Sequence, residues 1–157
     1  MKPLFVSDLD GTLLDTLEDL AISTNHALAQ NGFPQHDTEA YRFFVGNGIT
    51  KLMERALPED QRNEKTVLRV RQDFVDYYSM HNMDYTKPYP GIPELIDDLQ
   101  KQGLRMAVAS NKYQAATGKL IDRYFPAGTF AAVHGQRDGE GGLRHCRRLA
   151  VHHGPGD

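Results

Sequence analysis

Apolar positions in this chain follow two alternating patterns. Residues 3–7 form a short run that is apolar on both faces and reads as a buried strand. From Thr16 the period becomes helical. Leu17, Leu20, Ala21, Thr24 and Leu28 share one face, and Asn31-Gly32 closes the pattern as a C-cap would. Asp37 or Thr38 caps a short helix carrying Tyr41, Phe44 and Val45, which Gly46-Asn47-Gly48 breaks. A further helix is predicted over 50–56, with Pro58 after its end. One long amphipathic helix is predicted over 59–82, with Val67, Val70, Phe74 and Tyr77-Tyr78 facing inward. Thr86-Lys87-Pro88-Tyr89-Pro90-Gly91 is a rigid, turn-rich connection. Pro93 opens the next helix, with Leu95, Ile96 and Leu99 inward, and Gly103 closes it. Residues 104–109 form a second apolar strand that ends in Ser110-Asn111-Lys112. A helix over 114–124 follows, and 130–133 reads as a third strand ending at His134-Gly135.

Strands alternating with helices favour βαβ units, so the predicted class is α/β with a parallel sheet. The helical block between the first two strands is too long for a plain crossover. It reads as a separate all-helical insertion over 16–85, leaving 1–15 and 86–138 as the core. The last stretch differs in composition. Residues 135–157 hold six glycines and only Leu143, Cys146, Leu149, Ala150 and Val151 among Leu, Val, Ala and Cys. We expect 139–157 to be an irregular, disordered tail. Its His145, His152, His153 and Cys146 match no zinc-binding spacing.

Composition narrows the function. A chain of 157 residues holds one ordinary core with an insertion. A net charge of −3 argues against a broad nucleic-acid surface. The single cysteine, Cys146, allows no internal disulfide. The N-terminal apolar run is too short for a secretory signal, and no stretch approaches a membrane span. These features together predict a soluble cytoplasmic protein.

The chemistry centres on Asp8-Leu9-Asp10-Gly11-Thr12-Leu13-Leu14-Asp15-Thr16. Parallel-sheet enzymes bind ligands where their strands end. Asp8 and Ser110 both fall at such ends. Asp8 can attack phosphorus and form an aspartyl-phosphate. Asp10 can protonate the leaving oxygen and later activate water. The two carboxylates repel, and Mg2+ held by Asp8 and Asp10 would balance them. Thr12, the amides after Gly11, Ser110 and Asn111 can donate to phosphoryl oxygens. The structural alternative for Asp-x-Asp-Gly-Thr is a capped turn, since both residue types favour turns.

This run resembles the first motif of the haloacid dehalogenase superfamily. The spacing to Ser110-Asn111-Lys112 resembles that superfamily's second motif after an inserted helical cap. Val45-Gly46-Asn47-Gly48-Ile49 is similar to the cap loop of the phosphoglycolate phosphatase-like branch. Lys87-Pro88-Tyr89-Pro90-Gly91 is similar to that branch's return from cap to core. The resemblance implies a Rossmann-like core, a Mg2+ cofactor, Asp8 as nucleophile and Asp10 as acid/base. It further implies that Ser110 binds phosphate and that residues near Gly46 and Asn47 select the substrate.

The chain departs from the family after Val133. The family's third motif is a lysine, and no lysine follows Lys119 here. The fourth is an acidic pair after a strand, yet Asp138, Glu140 and Asp157 are the only late acids and none follows an apolar run. The C-terminal core strands are therefore expected to be missing, and the tail reads as truncated or frame-altered. Lys112 is expected beside the phosphate site or on the surface. Arg144 stands near the expected lysine position but reads as an exposed tail residue.

The resulting expectation is a Mg2+-dependent phosphatase acting on a small, phosphoglycolate-like monoester. Two alternatives stay open: a catalytically impaired remnant of such an enzyme, and a beta-phosphoglucomutase-like phosphomutase. The expected partner is a small phosphorylated metabolite, with no nucleic acid or membrane, in a monomer or homodimer.

Overall fold

The computed structural model describes residues 3–137. In chain order the regular elements are β1 (Leu4–Ser7), β2 (Leu14–Asp15), α1 (Leu17–Gln30), a 3-10 turn (Thr38–Phe43), α2 (Ile49–Ala56), a second 3-10 turn (Glu59–Gln61), α3 (Glu64–His81), β3 (Lys87–Pro88), α4 (Ile92–Lys101), β4 (Arg105–Tyr113), α5 (Gln114–Tyr124) and β5 (Ala132–Gln136). The described residues fall into two compact units, one within Met1–Leu13 and Pro90–Asp157, the other Leu14–Tyr89.

The first unit is an α/β core. Its sheet runs β1-β4-β5, all parallel, with β4 central. Leu4 pairs with Arg105 and Ser7 with Val108, so β1 and β4 leave the sheet at the same end. Buried Met106, Val108, Leu120, Ile121 and Phe125 fill the space between β4 and α5. The register of β4 against β5 is irregular. Ala109 faces His134, but Tyr113 faces Gln136, so β4 spends more residues than β5 on the same length of ladder. A bulge of this kind bends a strand and re-aims its side chains. Here it covers Ser110, Asn111 and Lys112.

The second unit is the helical insertion. α1 packs along α3, with Leu20, Ala27 and Leu28 set against Val67, Val70, Phe74 and Tyr78. Phe74 and Tyr78 stack at 5.1 Å between centroids, so this aromatic stripe is core. Leu14-Asp15 and Lys87-Pro88 pair antiparallel where the chain enters and leaves the unit. Buried Asp19 ties the exit down. Its carboxylate accepts from the amides of Tyr85 (3.0 Å) and Thr86 (2.8 Å) and from the Thr86 hydroxyl (2.7 Å).

Four local readings need correction. β1 was expected to be buried on both faces, yet Leu4, Phe5 and Val6 are 46%, 42% and 49% exposed. The strand is at the edge of the sheet and, among the described residues, pairs only with β4. The long helix predicted over 59–82 is interrupted. A 3-10 turn ends at Gln61, and α3 starts afresh after Asn63, whose side chain caps it by accepting from the Thr66 amide at 2.9 Å. β4 does not stop at Ala109 but continues through the bulge to Tyr113. On α4, Ile96 is buried as expected, whereas Leu95 is 46% exposed. The expected tail, residues 139–157, lies outside the described residues, as do Arg144 and Cys146.

Candidate active site

Asp8 follows β1 directly and Leu9 turns back into the core, fully buried. The turn is built on the Leu9 carbonyl, which accepts from the amides of Thr12 (3.3 Å) and Leu13 (3.0 Å). Gly11 lies at φ +75° at its crest, where a side chain would strain the backbone. This geometry corrects one expectation. The amides of Thr12 and Leu13 are engaged within the turn, and Thr12 itself is exposed.

Asp8 and Asp10 thus stand at the open end of the sheet. The Leu9 amide donates to Asp8 Oδ1 at 2.7 Å. Loss of water around its carboxylate raises the Asp8 pKa above the ordinary 3.8, and Asp10 raises it further, while the Leu9 amide and Lys112 work against the rise.

From the neighbouring strand, β4 contributes Ser110, Asn111 and Lys112. Ser110 is buried, and its hydroxyl oxygen accepts from the Lys112 amide at 3.1 Å, which leaves the hydroxyl proton to donate. The Lys112 side chain is only 4% exposed, and its ammonium lies 3.0 Å from Asp10 Oδ1. The structure therefore puts Lys112 inside the site, not on the surface. Strand alternation carried a signal for this, because Lys112 is two residues beyond Ser110.

Gly46 and Asn47 belong to the helical unit. Both are exposed, in the loop between the first 3-10 turn and α2. Arg55 braces that loop, donating to Asn47 Oδ1 at 2.9 Å and to the Phe44 carbonyl at 3.0 Å.

The donor chemistry fits Mg2+ in part. Mg2+ is commonly held by one or two carboxylates together with waters and a substrate phosphate. Asp8 and Asp10 supply such a hard-oxygen pair. Among the described residues no group of three or more His, Cys, Asp or Glu could hold a metal ion, so these residues form no closed protein cage. No described helix is long and apolar enough to cross a membrane.

Comparison with known proteins places this geometry in a family. A model of the haloacid dehalogenase-like hydrolases matches residues 5–142. A phosphoglycolate phosphatase of Mesorhizobium japonicum is 38% identical over 137 residues, covering 86% of this chain and 60% of its own length. A phosphoglycolate phosphatase of Aquifex aeolicus is 30% identical over 132 residues, covering 82% and 58%. The chain thus spans about 60% of the length of these curated relatives. Among solved structures, a predicted phosphoglycolate phosphatase from Haemophilus somnus superposes with a TM-score of 0.78 at 28% identity, covering 88% of this chain and 64% of that one. With the acid pair following β1 and Ser110 at the bulge of the neighbouring β4, the match identifies the chain as a member of the haloacid dehalogenase-like hydrolase family, similar to phosphoglycolate phosphatases.

Proposed function

We propose that this chain is a Mg2+-dependent phosphatase that hydrolyses a small, phosphoglycolate-like phosphomonoester through an aspartyl-phosphate. The observation that carries the reading is the placement of Asp8 and Asp10 after the end of β1, beside Ser110 and Lys112 in the bulge of β4. Asp8 attacks phosphorus, and Asp10 gives a proton to the leaving oxygen. Asp10 then takes a proton from the water that releases phosphate from Asp8. Ser110, Thr12 and Asn111 donate to the phosphoryl oxygens. Asp8 and Asp10 would hold Mg2+, which would supply charge neutralisation at the phosphoryl group. The loop carrying Gly46 and Asn47 would choose among substrates.

A second reading has one observation behind it. The acids proposed for this site are Asp8 and Asp10, and among the described residues no group of three or more His, Cys, Asp or Glu could hold a metal ion. That set favours a weakly active or inactive form of the same fold. The test is the initial rate of inorganic phosphate release from 2-phosphoglycolate and p-nitrophenyl phosphate, with and without Mg2+. The phosphatase reading expects Mg2+-dependent release that Asp8→Asn abolishes. Release no greater than that of Asp8→Asn would favour the impaired form.

A further inference from the structure

The inference concerns Lys112 and rests on the phosphatase reading above. We propose that Lys112 is a positioning residue for the acid–base step, its buried ammonium fixing the Asp10 carboxylate beside Asp8 at the end of the sheet.

Lysine is almost never buried unless paired. Taking both charges of an ion pair out of water costs several kcal/mol per ion as an order of magnitude, so such a pair is weak evidence for stability alone. This one is also built with care. The backbone of Lys112 is held from three sides. Its amide donates to Ser110 Oγ, its carbonyl accepts from Thr117 Oγ1 at 3.2 Å, and Gly135 of β5 lies so near that a Cβ there would be 2.6 Å from the Lys112 carbonyl. The bulge between Ala109 and Tyr113 sets the direction of the side chain. The result is a contact of 3.0 Å to Oδ1 of the acid that moves protons in the proposed reaction.

In the first half-reaction the Asp10 proton passes to the leaving oxygen as its bond to phosphorus breaks and the Asp8–phosphorus bond forms. In the second, Asp10 takes a proton from water as the water oxygen bonds to phosphorus and the Asp8–phosphorus bond breaks. Lys112 takes part in neither transfer and acts through Asp10.

A double-mutant cycle tests this. Lys112→Met should lower kcat about 10²-fold, as loss of positioning typically does, and leave KM within about threefold. In an Asp10→Asn background the same substitution should cost less than about twofold, since its target is already gone. Lys112→Gln serves as a second variant should the methionine form not fold. Urea unfolding of the same four proteins gives a readout besides activity, in which the cost of the double substitution should fall short of the summed single costs. An equal kinetic cost in both backgrounds, or additive unfolding costs, would overturn the role of Lys112 while leaving the phosphatase reading intact. A wild-type chain without turnover would overturn both.

Discussion

At Asp8 opposing effects meet. Loss of water and the charge of Asp10 favour its protonated form, and the Leu9 amide and Lys112 favour the carboxylate; the first two prevail. A carboxyl whose pKa is raised on folding adds stability only while it is protonated. That contribution is complete below the unfolded value and is lost as pH rises through the folded one. Stability of the metal-free protein should therefore decline with rising pH just above 3.8. Asp8→Asn should remove that decline and raise the urea midpoint at pH 7, while abolishing turnover. A midpoint at pH 7 that is unchanged or lower in Asp8→Asn would contradict the argument. The roles of Asp8 and Asp10 could be proposed from sequence because spacing and the preceding apolar run are local features. For Lys112 the sequence leaves two places open, beside the phosphate site or on the surface. Its burial depends on a bulge set by β5, more than twenty residues further along the chain.

The elements around the site are pinned by few contacts, which makes them testable singly. Gly135 permits the close approach of β5 to the bulge; its added Cβ would also meet Gln114 Cα at 2.7 Å and Thr117 Oγ1 at 2.8 Å. Gly135→Ala should destabilise the chain by about 1–3 kcal/mol through overpacking, measured by urea unfolding. It should also depress kcat by displacing Lys112. In the helical unit, Asp19→Ala would strip the Tyr85 amide and the buried Thr86 amide of their acceptor. The expected loss is about 3 kcal/mol, again by urea unfolding, and a loss below about 1 kcal/mol would refute the anchoring role. Helix positions were readable from period alone: the apolar spacing of α1, α2 and α5 reproduces their observed spans closely. The start of α3 was not, because the Asn63 cap competes with a run of charged residues that continues the helical period. The length of β4 was likewise hidden, since Ser110-Asn111-Lys112 is polar and reads as a loop until a neighbouring strand pairs with it.

Taken as a molecule, the described residues comprise a well-packed helical unit and a core unit whose described strands form one parallel sheet. Leu4, Phe5 and Val6 remain substantially exposed on β1, where parallel strands are usually covered on both faces. An uncharged apolar edge of this kind is a template for pairing with another chain. Sedimentation velocity should show a weight-average coefficient that rises with concentration, and Leu4→Lys should suppress the rise. A coefficient independent of concentration would mean that the edge is covered. Exposure of β1 was not readable from its residues, because burial depends on what packs beside a strand and not on the strand itself. The central claim is that Asp8 takes up the phosphoryl group. The most direct measurement is acid-quenched turnover of a radiolabelled phosphomonoester with Mg2+, followed by peptide mapping. The account predicts label on the peptide containing Asp8, lost in Asp8→Asn. Phosphate release without label on that peptide, or label that persists in Asp8→Asn, would contradict it.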